Sequence, residues 1–490
     1  MSSRAPSEQT PLLSEVASSA ATSLEDADGP PATTPLPKGQ VALLTFTRLA
    51  DPLAFAILFP FINSMVLRTG QIAVEEVGYY VGAIESLFAL VQMIFLMPWG
   101  WASDRYGRKP VLLVSLLGTV LSTILFGFST HLWQMFAARA ISGLFGGNAV
   151  VVRTLFAEMS DSTNQARAFG FFAFASNIGL MLGPLIGGTF AEPETQFPRT
   201  FGRIPLLRKY PYALPCIITG AYALLAFALN VIFLREPGRR ENEGVPKEQR
   251  KPSVRAVLTP PVLKALLVFS ATTILGIAYM ALLPLWLFTP VDLGGLSFSP
   301  SGISVIFASI GFSQSVWLLV VMPPLERSLG TYRLLRSCFT YWPLGFLMPI
   351  LANQFAKRNN SAGVYLITSV MSTLGVGTAM AFTCLQLIIN NVSPRAHLGT
   401  INGIALTVNS AWRTVGPTAI TSTFAFSVEH NVLGRYLAWT ILAIWAVVVY
   451  FLSALAPKQD VRMADVVAPP TTDEEAAGTT GTVTTQDDQQ

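Results

Sequence analysis

The residues best placed to do chemistry in this chain are charged groups set inside long apolar runs: Arg48 with Asp51, then Glu85, Arg139 and Arg413. A charge held in the middle of a bilayer is costly, so each marks a functional position by default. The chemistry open to them is binding and release of a proton, or pairing with an anionic group. Asp51 stands about ten residues into its run, some 15 Å deep at about 1.5 Å of rise per residue. Arg48, three residues earlier, shares its helix face. The two read either as an internal ion pair that orients the helix, or as a proton site carried by Asp51; Pro52 beside them would disturb the helix and open room for ligand contacts. Glu85, about eight residues into the next run, is the second acid at depth, with proton coupling or a packing hydrogen bond as its two readings. Burial favours a neutral carboxyl and a nearby cation a charged one, so a group that alternates between such surroundings can carry a proton. Arg413, with Asn409 one turn earlier, faces an interior and would meet an anionic substrate group or a carboxylate. Asn177, Trp412 and Phe382 join them as candidates for lining a substrate cavity. Trp286, Trp317 and Trp342 read instead as aromatics at a membrane interface.

Enzyme chemistry has no comparable footing. No nucleophile–base arrangement, metal cluster or phosphate-cradling loop stands out. Cys216, Cys338 and Cys384 have no metal-ligand spacing, and His131, His397 and His430 lie far apart near loop ends. Neither a cofactor nor a metal is expected.

The elements that must position these residues follow from composition. Of 490 residues 51% are hydrophobic and 12% charged, where a soluble domain carries roughly a quarter charged. A span needs about 20 apolar residues. Continuous runs of that length are helices, not the alternating strands of an outer-membrane barrel. The predicted spans are Val41–Val66, Val77–Trp99, Val111–Phe128, Leu132–Leu155, Arg167–Phe190 and Tyr212–Leu234. After a charged stretch come Leu263–Pro290, Ser301–Met322, Leu334–Leu351, Tyr365–Val392, Leu398–Ser427 and Tyr436–Leu455. The fold class is therefore an all-α membrane protein of about twelve transmembrane helices in two six-helix halves. Its parts are a polar tail (1–38), a first half (39–234), a linker (235–261), a second half (262–457) and an acidic tail (458–490). Both tails have the composition of disordered segments.

With both termini cytosolic, roughly 19 Lys and Arg face the cytosol and roughly 8 the other side, as the positive-inside rule requires. Arg199, Arg203, Arg208 and Lys209 run against the trend. The net charge of +4 is scattered and implies no nucleic-acid partner. The first apolar run begins only at Val41, so no cleavable signal peptide is read. Glu8 ahead of Leu12-Leu13 resembles an acidic dileucine sorting signal, which favours the vacuole or another endomembrane over the plasma membrane and names a sorting adaptor as partner. Asn359-Asn360-Ser361 is a glycosylation acceptor in a loop expected on the non-cytosolic side.

Between spans two and three, Gly100 to Pro110 reads GWASDRYGRKP. Two glycines allow a tight turn, and Asp104, Arg105, Arg108 and Lys109 place charges beside helix ends, where they can latch one conformation and release another. Arg153 and Glu158 would join that latch. The run resembles the signature loop of the major facilitator superfamily, G-x-x-x-D-R-x-G-R-[KR], at every defined position: Gly100, Asp104, Arg105, Gly107, Arg108 and Lys109. Arg139, Gly143 and Gly146-Gly147-Asn148 resemble a further superfamily pattern, whose arginine the family associates with proton coupling; a structural partner for an acid or a helix-dipole contact is the other reading of Arg139. Gly179, Gly183, Pro184, Gly187 and Gly188 are similar to the fifth-helix motif of proton-driven exporters, where close-packing glycines and a bending Gly-Pro pair occur together. Pro324 to Gly330 echoes the signature loop without its D-R-x-G-R core, which implies a weaker latch. With Tyr79-Tyr80, Gly82, Tyr210-Pro211-Tyr212, Leu398 to Gly403 and Gly416-Pro417, the set resembles the fungal zinc-induced-facilitator-like branch of the drug:proton antiporters. The resemblance implies secondary active transport of a small organic solute or xenobiotic by alternating access, by proton antiport. Its partners would be substrate, protons and the lipid bilayer, and the chain would be a monomer. Against it stand a non-transporting sensor or scaffold, and a nutrient facilitator or symporter.

Overall fold

A computed structural model describes residues 35–160, 164–236, 258–374, 376–393 and 398–458. The sorting motif at Glu8, Leu12 and Leu13, most of the charged linker and the acidic tail lie outside the described residues, as does His397.

Every regular element among the described residues is helical. A first set comprises α1 (Lys38–Ala56), α2 (Ile62–Arg68), α3 (Val77–Tyr106), α4 (Arg108–Gly127), α5 (Leu132–Leu144), α6 (Asn148–Glu158), α7 (Gln165–Phe190) and α8 (Ala213–Phe233). A second set comprises α9 (Pro260–Phe288), α10 (Pro300–Val316), α11 (Met322–Leu329), α12 (Thr331–Lys357), α13 (Ser361–Leu374), α14 (Val376–Val392), α15 (Leu398–Glu429) and α16 (Leu437–Leu452).

Eight helical stretches are long and apolar enough to cross a membrane, among them Val74–Tyr106, Leu132–Glu158 and Pro260–Phe288. Of the four other predicted spans, two are interrupted, one is more polar and one contains a residue outside the described set. Val41–Val66 divides into α1 and α2 at a turn over Ile57–Phe61 that contains Pro60. Ser301–Met322 passes through a π-helical turn at Trp317–Val321 between α10 and α11, a device that re-aims side chains within a helix. Within Tyr365–Val392 residue 375 lies outside the described residues, with helix on both sides of it, and α15 is diluted by Ser, Thr and Asn. Pro52 does not break its helix as expected: it is held inside α1, and the chain turns one residue past Ala56.

Glycines set how closely the helices approach. A Cβ on Gly179 would lie 2.6 Å from Pro52 Cγ, and one on Gly183 would lie 2.8 Å from Ala56 Cβ, so α7 rests directly on α1. At Pro184 the same helix turns to the second set, where its carbonyl accepts a hydrogen bond from Ser304 Oγ of α10. Gly179→Val should overpack the α1–α7 contact and cost about 1–3 kcal/mol. The check is a lowered melting temperature in detergent; an unchanged melt would show that α1 yields freely.

The two sets meet near one end of the bundle. There Gly78 and Gly82 of α3 sit beneath α15: added Cβ atoms would lie 2.7 Å from Thr421 O and 2.9 Å from Thr418 Cα. Ser86 Oγ accepts from Thr418 N–H (3.2 Å) and Thr418 Oγ1 (2.8 Å). Tyr79 reaches Glu429 at 3.5 Å, and Phe59 stacks on Phe307 at 5.7 Å. Toward the end that carries Gly100–Pro110, Phe174 and Asn177 of α7 and Gly403, Leu406 and Thr407 of α15 are exposed. Contacts between the sets thus gather at one end, and we read the space between them toward the other end as a cleft closed at the first end.

Candidate functional site

Beside the Ser86–Thr418 contact, the structure gathers charges from three helices that are remote in sequence. Glu85 (α3) and Arg139 (α5) are 6% and 3% exposed, and Glu85 lies within electrostatic reach of Arg139 and of Arg413 from α15. Among the described residues Glu85 makes no hydrogen bond and no ion pair within 4 Å, and Arg139 Nε is buried without a partner. The guanidiniums are held by rings instead. Arg139 lies 4.5 Å over Phe88, and Arg413 lies 4.7 Å over Phe55 and 5.9 Å from Phe88. Phe88 thus stands between an arginine of each helix set. A desolvated contact of this kind contributes about 2 kcal/mol, less than the several kcal/mol that desolvating an ion costs.

A second group lies one turn along α1. Arg48 Nη1 is 3.5 Å from Asp51 Oδ2, so the expected ion pair is formed, and Asp51 Oδ1 accepts from Asn148 Nδ2 at 2.9 Å. Arg48 also stacks 4.5 Å over Phe172. Asp51 is therefore already matched by a cation and an amide, whereas Glu85 is not.

The cavity candidates are distributed around this centre. Asn177 is exposed on α7 and Asn409 is half-buried on α15. Trp412 is fixed by donating from Nε1 to Ser270 Oγ at 2.8 Å. Phe382 packs edge-on to Phe269 at 5.9 Å. Two contributors went unmarked in the sequence. Phe88 is an aromatic in an apolar run and carries no local signal. Asn148 stands in the sequence as the end of a glycine pattern, in the same span as Arg139.

The signature loop forms a separate centre at the open end. Arg108 pairs with Asp104, donates to Ser103 Oγ at 2.8 Å and reaches Glu158 Oε1 of α6 at 2.8 Å. Its backbone N–H donates to Glu236 Oε1 at 2.8 Å. Gly107 has φ +99°, and any Cβ there would collide with Glu236. Lys109 Nζ caps the end of α8 through Val231 O and Leu234 O, both 2.9 Å. Arg105 stacks on Trp101 and Tyr106. Gly100 departs from expectation: it lies inside α3 with open space where a Cβ would be, so only Gly107 serves the turn. The echo loop repeats that turn, with Gly330 at φ +77°, ψ 155° against Gly107 at φ +99°, ψ 158°. It replaces the charges with a Thr331–Glu326 hydrogen bond of 2.8 Å. Asn359 is exposed in the turn after α12, at the opposite end of the bundle. Cys216, Cys338 and Cys384 are buried free thiols.

A model of the Major Facilitator Superfamily matches residues 44–417. Efflux pump azaK of Aspergillus niger is 37% identical over 424 residues, covering 86% of this chain and 88% of that protein. Protein ZINC INDUCED FACILITATOR 1 of Arabidopsis thaliana is 27% identical over 406 residues, with 77% and 82% covered. Among solved structures, a bacterial homologue of the human lysosomal transporter Spinster, in an inward-facing and unoccupied conformation, matches with a TM-score of 0.65 at 15% identity. That match covers 87% of this chain and 98% of the other, a likeness of fold.

Proposed function

The chain belongs to the Major Facilitator Superfamily, and from that premise we propose that it is a proton-coupled antiporter exporting a small organic solute by alternating access. In this reading residues 39–234 and 262–457 are two six-span halves, both termini are cytosolic, and the conformation described is open to the cytosol. The observation that carries it is the unmatched Glu85 carboxylate at the inner end of a one-sided cleft, beside an arginine from each half. A carboxyl whose cationic neighbours move with the halves changes its surroundings as the cleft alternates, which is what proton exchange requires. Protein reconstituted in liposomes should move solutes from a xenobiotic panel under an imposed pH gradient. A chain that binds solutes yet moves none under any gradient would be a sensor instead.

We place the protein in the vacuolar or a related membrane on the strength of Glu8, Leu12 and Leu13. Leu12→Ala with Leu13→Ala should then redirect it to the plasma membrane; wild-type protein already at the cell surface would remove the sorting role.

The signature loop serves gating in this reading. Asp104 and Arg108 touch no cavity residue, and their bonds stay within the first half and the start of the linker. When the cytosolic end closes, the same charges become available to helix ends of the second half, where each contact contributes about 0.3–2 kcal/mol. Asp104→Asn should favour the cytosol-open form and slow turnover by up to about tenfold, while binding from the cytosolic side survives. Wild-type turnover would exclude the latch.

A further inference from the structure

The charge balance of the cleft restricts what it can hold. Its interior carries Arg48, Arg139, Arg153 and Arg413 against Asp51 and Glu85. Four guanidiniums against two carboxylates leave two positive charges in excess. Arg48 and Asp51 answer each other. Arg153 rests 5.8 Å over Phe169 toward the open end. At the inner end, Arg139 and Arg413 share the single carboxylate of Glu85, and neither forms an ion pair within 4 Å among the described residues.

The second half offers Arg413 no counter-charge. From Pro260 to Glu429 its acids are Asp292, Glu326 and Glu429. Asp292 follows α9 and Glu429 ends α15, both at the closed end, while Glu326 sits in α11 at the open end. What Arg413 does have is ring faces, Phe55 at 4.7 Å and Phe88 at 5.9 Å. Ring faces offset only part of the cost of burying a guanidinium. A carboxylate, sulfonate or enolate would supply the rest through charge-assisted hydrogen bonds, for which the planar guanidinium is the best-suited donor. The same rings offer an aromatic body of the solute a stacking surface beside its anionic group.

We infer that the transported solute is an amphipathic organic anion, its negative group held by Arg413 with Arg139 and its planar apolar body against Phe55 and Phe88. A cationic solute would add to an uncompensated positive site, and a neutral one would leave it uncompensated. This assignment rests on the transport reading above for the word "transported", but its charge selectivity is a property of binding alone. It is therefore tested without any gradient.

The experiment is calorimetric titration of the purified full-length chain in detergent with three probes of one shape and fixed charge: naphthalene-2-sulfonate, naphthalene-2-sulfonamide and trimethyl(naphthalen-2-yl)ammonium. The sulfonate should bind at least about tenfold tighter than the sulfonamide, and the ammonium more weakly than either. Arg413→Gln should erase the preference for the sulfonate, and Arg413→Lys, which restores charge without the planar fork, should recover part of it. Equal binding of sulfonate and sulfonamide, tighter binding of the ammonium, or no binding of the sulfonate would overturn the inference. So would an undiminished preference in Arg413→Gln. The wild-type comparison holds even if a variant fails to fold. Selective sulfonate binding without gradient-driven flux would uphold the anion site and reject the transport reading. Flux of solutes with no preference for anions would do the reverse.

Discussion

Replacing Glu85 by Gln should reduce pH-gradient-driven flux to the level of protein-free liposomes while exchange of solute for solute persists. Gln keeps the shape of the side chain and removes the group that takes up a proton. Exchange needs the cleft to alternate with solute bound at each step, with no net proton movement, so it survives if folding does. That split separates a coupling role from a structural one, because a misfolded chain loses both activities. The same substitution at Asp51 should act differently. Its carboxylate is already matched by Arg48 at 3.5 Å and Asn148 at 2.9 Å, so Asp51→Asn removes an ion pair and leaves Arg48 unanswered. Breaking a buried pair costs up to about 3–5 kcal/mol, which would appear as a lowered melting temperature with coupling retained in the protein that folds. Full gradient-driven flux in Glu85→Gln, or loss of coupling in Asp51→Asn alone, would exchange the two assignments.

A second large effect is expected at Gly82. The closed end of the cleft depends on α3 lying directly against α15, where an added Cβ would stand 2.9 Å from Thr418 Cα and 3.1 Å from Pro417 O. Those are backbone atoms, which cannot swing aside as a flexible side chain can. Gly82→Val should overpack this contact by about 1–3 kcal/mol and shift the equilibrium away from the conformation described here by about 5- to 150-fold. A single cysteine introduced at Thr421 should become reactive toward an impermeant maleimide from the closed end. Labelling at Leu406, near the open end, should fall in parallel. Unchanged labelling at both positions would mean that the glycine is not what lets this end close. Gly82→Ala, with less added volume, should show the same changes to a smaller degree.

Much of this site was legible in the sequence because the bilayer makes some residues conspicuous. Arg48, Asp51, Glu85, Arg139 and Arg413 stood out as charges in apolar runs, and the structure buries or half-buries every one. The Arg48–Asp51 pair followed from helical spacing alone. The turn at Gly107 was legible from its charges and glycine; of the two residues assigned to the latch, Glu158 reaches Arg108, whereas Arg153 rests over Phe169 instead. The grouping of Glu85 with both Arg139 and Arg413 was not legible, because it depends on how α3, α5 and α15 pack, and no local spacing encodes that. Phe88 was invisible for another reason: one aromatic among many apolar residues has no distinguishing chemistry until two guanidiniums are found on it. The break after Ala56 was misplaced because Pro52 and Pro60 carry the same local signal. Pro52 stays inside its helix, close against Gly179, while Pro60 falls where the chain turns.

The most direct test is to let the solute drive the proton. Liposomes containing the protein and an internal pH-sensitive dye would receive an outward solute gradient with no pH or electrical gradient. Antiport through Glu85 predicts that protons enter as solute leaves, acidifying the lumen, and that the signal disappears in Glu85→Gln. Solute efflux with no change in lumenal pH, or with the lumen turning alkaline as protons leave alongside the solute, would contradict it.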